Sequence, residues 1–295
     1  MDPKPVNPGA NPNTNIPRPP DTIWMTKKSL SSEFRDPDKA NRLDELVQYL
    51  ENFDSLPETQ VFKEHSNQYL GLKAGSIVLD AGCGPGNDSL RMAASVGSSG
   101  HVTGIDLSTG MVSRAQEKAA GSGLPVSFRT GNICDLDLPD NSFDGVRVER
   151  TLQLVADTGR GIDELIRVLR PGGTLVAIDP DWETFVVDPG DRDITRKFFR
   201  FCADQFPDGS SGRKFYRYFR ERNLRDVVIH PEPLIFHDFP LAYRVLNMNQ
   251  FLAAAVEQSV LSQGEVEAWE QELKSADAAG NFTFTGMMFA VSGRK

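Results

Sequence analysis

Three short stretches of the chain combine residue types that do chemistry. The first is Val78-Leu79-Asp80-Ala81-Gly82-Cys83-Gly84-Pro85-Gly86, an apolar strand running into a glycine-rich turn with a helix behind it. Glycines there permit tight turning and let a ligand approach the backbone closely. The spacing is G-x-G-x-G followed by Asn87, which departs from the G-x-G-x-x-G of dinucleotide binders. Asp80 stands two places before the first glycine. A carboxylate there repels a pyrophosphate and attracts an ammonium or sulfonium. The loop therefore suits a cationic nucleoside better than a diphosphate, with an ordinary strand-to-helix turn as the bland alternative.

The second stretch is Gly104-Ile105-Asp106-Leu107-Ser108. An acidic residue at the end of a second strand can accept hydrogen bonds from ribose hydroxyls. Helix capping is the plainer role for Asp106, and Ser108 is itself a good cap. The third is Gly131-Asn132-Ile133, where Asn132 offers a polar contact and Ile133 an apolar wall to a flat base.

The elements that must position these residues alternate. Apolar runs at 77–79, 102–105, 126–129, 143–148 and 173–178 are separated by helical patterns at about 87–96, 108–120 and 157–169. That rhythm predicts a parallel sheet with helices on both faces, and continuous apolar strands fit a sheet buried on both sides. Helices are also expected at 38–53 and 57–70, the second opened by Pro57. After Asp179 the rhythm breaks. Helices are predicted at 191–206, 212–222, 241–260 and 264–278, and strands at 227–236 and 282–291.

Composition bounds the rest. Length alone, 295 residues, suggests about two domains. The net charge of −9 disfavours generic nucleic-acid binding, which needs Lys and Arg against phosphates. No run approaches a membrane span, and residues 1–20 lack the apolar core of a signal peptide. Cys83, Cys134 and Cys202 form no metal spacing and no disulfide framework, so no metal is expected and a cytoplasmic setting is the default. Residues 1–20 are rich in Pro, Asn and Gly and read as a disordered tail.

As an ordered set, VLDAGCGPG, GIDLS, GNICDLDLPDNSFDGV and RVLRPGGTLVAID resemble the motifs of class I S-adenosylmethionine-dependent methyltransferases. Within that superfamily the chain is similar to the ubiquinone/menaquinone C-methyltransferase-like, small-molecule branch. The closing FTFTGMMFAVSGRK resembles the last strand of such proteins. The resemblance implies a Rossmann-like, doubly wound seven-stranded sheet with an antiparallel last strand and helical cap insertions. It implies one methyltransferase domain over 21–295, with a core of about 57–180, 224–238 and 281–292 and a cap from about 22–53, 181–222 and 239–280. The expected cofactor is S-adenosylmethionine, giving S-adenosylhomocysteine as product. Asp80, Gly82, Cys83, Gly84 and Gly86 would cradle its methionine part, and Asp106 its ribose. Leu107 and Met111 would flank the nucleoside, and Asn132 and Ile133 the adenine. Glu149, Arg150 and Thr151 would give backbone contacts and the active-site floor.

On the acceptor side the sequence is less specific. Asp181 and His237 are the low-ranking options for a base or acceptor-binding group, with no required base legible. His65 could reach a cofactor carboxylate from the helix before the glycine strand. Trp182, Tyr216 and Tyr243 are named as acceptor contacts among aromatics, including Trp24, that equally serve a core. Residues 213–225, RKFYRYFRERNLR, could face an anion or form an amphipathic helix with solvated arginines. Residues 191–226 carry ten Lys or Arg against six Asp or Glu, so any anion-seeking surface should sit on the cap.

These readings give a methyltransferase acting by in-line displacement on a small, hydrophobic or aromatic acceptor, at carbon or oxygen. A homodimer or higher homo-oligomer is compatible with them; a nucleic-acid partner and an integral membrane segment are not expected. The rival functions are an RNA or protein methyltransferase and a non-methylating cofactor binder or cyclase on the same fold.

Overall fold

The computed structural model describes residues 30–39 and 42–295, so the expected tail at 1–20 and Trp24 lie outside the described residues. Seven strands form one sheet: β1 (Ile77–Ala81), β2 (His101–Asp106), β3 (Val126–Thr130), β4 (Phe143–Glu149), β5 (Leu169–Asp188), β6 (Arg225–Phe236) and β7 (Thr283–Arg294). Their order is β3-β2-β1-β4-β5-β7-β6. The first five are parallel, and β7 runs antiparallel to both β5 and β6. The order reverses between β1 and β4, which leaves a crevice at their carboxyl ends. Asp80 pairs across this point with Gly104 on one side and Arg147 on the other.

Helices α1 (Leu30–Arg35), α2 (Leu43–Asp54) and α3 (Pro57–Leu70) precede the sheet. Helices α4 (Asn87–Val96), α5 (Thr109–Ala119) and α6 (Thr158–Val168) connect its parallel strands. Each alternation predicted between residues 57 and 169 is present, because its side chains must fill a sheet covered on both faces. Val78 and Leu79 are adjacent in β1 and both fully buried, one per face.

Beyond Ile178 the structure departs from the sequence reading. The apolar run expected to end at residue 178 belongs to β5, and β5 continues to Asp188. It pairs Asp179 with Phe289, Pro180 with Met288 and Asp181 with Met287, then resumes after a bulge at Val186–Thr285. β7 supplies the ladder. β4 is no longer alongside, so β5 has a free edge where a proline is tolerated.

Helices pack on this extension. Helices α7 (Arg192–Asp204), α8 (Ser211–Glu221), α9 (Phe239–Val245), α10 (Met248–Glu257) and α11 (Gln263–Ala278) complete the fold. Phe185 on the extension meets Phe199 of α7 and Phe284 of β7 edge-on, and Phe198 meets Trp269 of α11. The buried indole of Trp269 donates to Thr195 Oγ1 at 3.0 Å. The helix expected at 241–260 divides into α9 and α10 at Asn247, whose φ of 51° is left-handed, a conformation asparagine tolerates. Helix α8 packs on the sheet: Phe215 and Phe219 are fully buried beside Leu175 and Val291.

Candidate active site

A cavity of about 570 Å3 opens at the carboxyl ends of the parallel strands. The glycine loop forms one wall. Gly82 and Gly84 are left-handed, at φ 76° and 51°. The amides of Gly82 and Cys83 both donate to the Ile105 carbonyl, at 2.7 and 2.9 Å. A Cβ on Gly82 would stand 2.0 Å from Thr151 Oγ1, so the loop is seated directly on the turn after β4. At Gly84 the nearest atom to such a Cβ is Leu50 Cδ1, at 3.6 Å. Gly86 does not line the cavity. It begins α4 at φ 85° and lets the loop pass Ala115 and Phe128, which a Cβ would approach to 2.8 and 2.9 Å. The loop is packed against α5 and β3 at this glycine.

Asp106 ends β2 on the cavity wall. Its two oxygens accept the amides of Gly84 and Ser108, each at 2.9 Å. Burial pushes its carboxyl above the usual range. Leu107 and Met111 follow on the same wall, with Leu107 exposed and Met111 buried. Ser108 caps α5 by accepting the Met111 amide. Asp38 lies just after α1 and accepts from the Ser108 hydroxyl at 2.6 Å and the Gly110 amide at 3.0 Å. That clasp holds Phe34 and Pro37 over this end of the cavity. Asn132 and Ile133 line it after β3, and Asn132 Oδ1 accepts the Cys134 amide.

Beneath the loop lies a charge cluster that the sequence reading missed. Lys63 of α3 is buried and reaches Asp54 at 3.3 Å, Asp88 at 2.5 Å and Glu149 at 3.1 Å. Arg147 of β4 is equally buried and contacts Asp80, Asp88 and Glu149. Arg91 joins Asp54 and Asp88. The four carboxylates thus meet Lys63, Arg91, Arg147 and Arg150. Buried charges of this kind require such pairing. Arg147 and Lys63 hold the Asp88 carboxyl well below the usual carboxylate range against its burial, and Lys63 and Arg147 lower Glu149. Asp80 is therefore not simply aimed at a ligand. Its Oδ2 accepts the Ser89 hydroxyl at 2.6 Å, its Oδ1 faces Arg147 at 3.4 Å, and burial raises its pKa. The signal available in the sequence was Arg147, a cation inside an otherwise apolar strand.

Glu149, the last residue of β4, and Arg150 and Thr151 after it line the cavity. Arg150 is left-handed at φ 50°, and its amide donates to Ile178 O at 2.8 Å. Its guanidinium lies 4.0 Å from the centre of the Phe53 ring.

The cavity also has an aromatic and aliphatic lining: Trp182, Phe185, Phe206, Leu246, Phe251 and Met288. Trp182 packs on Phe206 and Phe251, with ring centroids at 5.0 and 5.6 Å, and those two rings also meet each other. Its indole nitrogen donates to Gln153 Oε1 at 3.0 Å.

Other expected contacts lie elsewhere. Asp181 is buried in a bidentate pair with Arg213 and does not line the cavity. His237 is exposed and faces Thr283 Oγ1 at 3.4 Å. His65 bonds Glu232 at 3.2 Å, not a cavity atom. Tyr216 is exposed on α8, and Tyr243 donates to Glu270 at 2.7 Å. A hydrophilic side chain finds its cheapest partner in local ion pairs or solvent, and sequence order gives no direction to it. The basic stretch 213–225 is largely self-neutralised, with Arg213 on Asp181 and Glu183, Lys214 on Asp208, Arg217 on Glu221 and Arg222 on Asp163. Among the described residues no cluster of His, Cys, Asp and Glu is arranged to hold a metal ion, and no helix is long and apolar enough to cross a membrane.

Bare backbone at Gly82 and Gly84, a carboxylate at Asp106 with lone pairs left over, and the Asn132–Ile133 wall fit a nucleoside bearing a short amino-acid tail. Residues 72–223 match the family model described as a methyltransferase domain. An uncharacterised 37.1 kDa protein in a transposon of Streptomyces fradiae is 33% identical over 247 residues, covering 83% of this chain and 70% of that one. A demethylmenaquinone methyltransferase of Desulfitobacterium hafniense is 38% identical over 120 residues, or 40% of this chain, which spans about half (47%) of its length. A phosphoethanolamine N-methyltransferase of Haemonchus contortus, solved with phosphomonomethylethanolamine and S-adenosylhomocysteine, shares the fold. It has a TM-score of 0.57 at 20% identity, over 89% of this chain and 60% of that one. The strand order, the glycine loop and these matches together show that the chain belongs to the methyltransferase domain family, the S-adenosylmethionine-dependent methyltransferases of Rossmann-like fold.

Proposed function

We propose that this chain methylates a small, hydrophobic or aromatic metabolite at carbon or oxygen. The carrying observation is that one cavity is lined both by the glycine loop and by Trp182, Phe206 and Phe251. S-adenosylmethionine, when bound, supplies an activated sulfonium methyl. The protein's task is then alignment and exclusion of water. Gly82, Cys83, Gly84 and Asp106 hold the donor, with Leu107, Met111, Asn132 and Ile133 along its nucleoside. The aromatic wall holds the acceptor. None of the four histidines lines the cavity, so no histidine base is assigned. The three cysteines are unpaired, which supports a reducing, cytoplasmic setting.

The test is release of S-adenosylhomocysteine from the donor with a panel of hydroxynaphthalenes and hydroquinones. Trp182→Ala and Phe251→Ala should each raise the acceptor KM tenfold or more, about 1.4 kcal/mol, with affinity for S-adenosylhomocysteine unchanged. Turnover on RNA or protein with none on the panel would refute the reading.

A further inference from the structure

Among the described residues, the cavity is lined by one half-buried cation whose terminal donors are not used. Lys63 and Arg147 are engaged by carboxylates, and Arg147 Nε by the Ser66 hydroxyl. Arg35 lines the cavity too, but on its exposed rim. Arg150 differs from all of these. Its Nε donates to Glu149 Oε1 at 3.3 Å, an oxygen already shared with Lys63. Its terminal Nη1 and Nη2 groups bond no described residue, although the side chain is only 20% exposed. A guanidinium has five donors, and the four on Nη1 and Nη2 are left for a ligand in the cavity.

Its placement is enforced. A non-glycine residue at positive φ is strained and persists only where its surroundings hold it. Here the Arg150 amide is tied to Ile178 O, and the guanidinium is stacked on Phe53. Arg150 also belongs to the acceptor wall. Its carbonyl faces Gln153 Nε2 at 3.5 Å, and Gln153 Oε1 takes the Trp182 indole N–H. A planar fork of free donors thus stands at the foot of an aromatic wall.

Resting on the acceptor site proposed above, we infer that the acceptor carries an anionic group of carboxylate type, bound by Arg150, with its apolar body against Trp182, Phe206 and Phe251. The two terminal amino groups suit a bidentate pair with a carboxylate. Lys63, Arg91 and Arg147 face the four carboxylates beneath and offset most of their charge. The other carboxylate that could reach Arg150 is that of the cofactor's own amino-acid tail, and the experiment separates the two.

The full chain is saturated with S-adenosylhomocysteine, and binding of 2-naphthoate and of neutral 2-naphthamide is measured by calorimetry. The acid should bind at least tenfold more tightly than the amide. Arg150→Gln should erase that preference and leave affinity for S-adenosylhomocysteine within twofold. Arg150→Lys, which keeps a cation, should retain part of the preference and serves if the Gln variant does not fold. Equal binding of acid and amide, or binding of neither at millimolar concentration, overturns the inference. So does an Arg150→Gln protein that loses S-adenosylhomocysteine affinity but keeps the acid preference, since Arg150 would then hold the cofactor. Failure of the wild-type chain to bind S-adenosylhomocysteine at all would instead sink the donor assignment.

Discussion

Replacing Gly82 by alanine tests how the two halves of the cavity floor fit together. The residue has φ 76°, where an L side chain costs about 1–2 kcal/mol. The new methyl would also stand 2.0 Å from Thr151 Oγ1, 2.6 Å from its Cγ2 and 2.8 Å from its Cβ. Thr151 cannot yield freely, because its hydroxyl donates to Glu149 O at 2.9 Å. Overpacking of this kind costs about 1–3 kcal/mol. The two terms together give about 2–5 kcal/mol, read as a lower urea midpoint at unchanged slope. Gly84→Ala is the control. Its φ of 51° carries the backbone term, but its nearest neighbour is at 3.6 Å, so about 1–2 kcal/mol is expected. Gly82→Ala combined with Thr151→Ala should recover part of the loss, since only the Cβ contact remains. Calorimetry should show weakened S-adenosylhomocysteine binding for Gly82→Ala. The reasoning is refuted if Gly82→Ala is as stable as Gly84→Ala, or if removing the threonine side chain recovers nothing.

Two further predictions concern buried charge. Lys63→Met should destabilise the protein by about 3–5 kcal/mol in chemical unfolding, because it leaves Asp54, Asp88 and Glu149 short of a cation. Asp179 is buried, accepts the Ser211 hydroxyl and Gln153 amide on one oxygen, and has no partner for the other. Burial, with Asp208 and Glu149 adding repulsion, pushes its pKa up to about 8. A carboxyl raised above its unfolded value of about 3.9 contributes stability that is present at low pH and lost as pH rises to its folded pKa. Wild-type stability should therefore fall by several kcal/mol between about pH 4 and 8 from this group, and Asp179→Asn should flatten that limb in pH-dependent unfolding. An unchanged limb in the variant would show that Asp179 is ionised throughout.

The parallel half of the fold was written in local patterns. Apolar runs such as Ile77-Val78-Leu79, each followed by a helical stripe, have one economical burial, on both faces of a sheet. Glycine and acid at strand ends then fall on the carboxyl edge by topology, which is why the Gly82–Gly84 loop, Asp106 and Asn132–Ile133 meet on one cavity. Gly86 belonged to the same motif, yet it faces Ala115 and Phe128, because the motif fixes a turn and the next helix decides which glycine is covered.

Where the pattern thins out, tertiary contact decided. Whether β5 stopped at Ile178 or ran to Asp188 depended on β7, about a hundred residues later in the chain, arriving antiparallel to pair with it. Asp181 was directed to Arg213 and His237 to the surface by partners that no local spacing announces. Lys63, Asp88, Arg147 and Glu149 come from three elements distant in sequence and acquire their meaning only when α3, α4 and β4 pack together. Periodicity records which face of an element avoids water, so the sequence by itself determined the layers and the cofactor edge. The pairing of polar groups is a matter of distances of 3 or 4 Å between remote segments, and only the tertiary structure sets those distances.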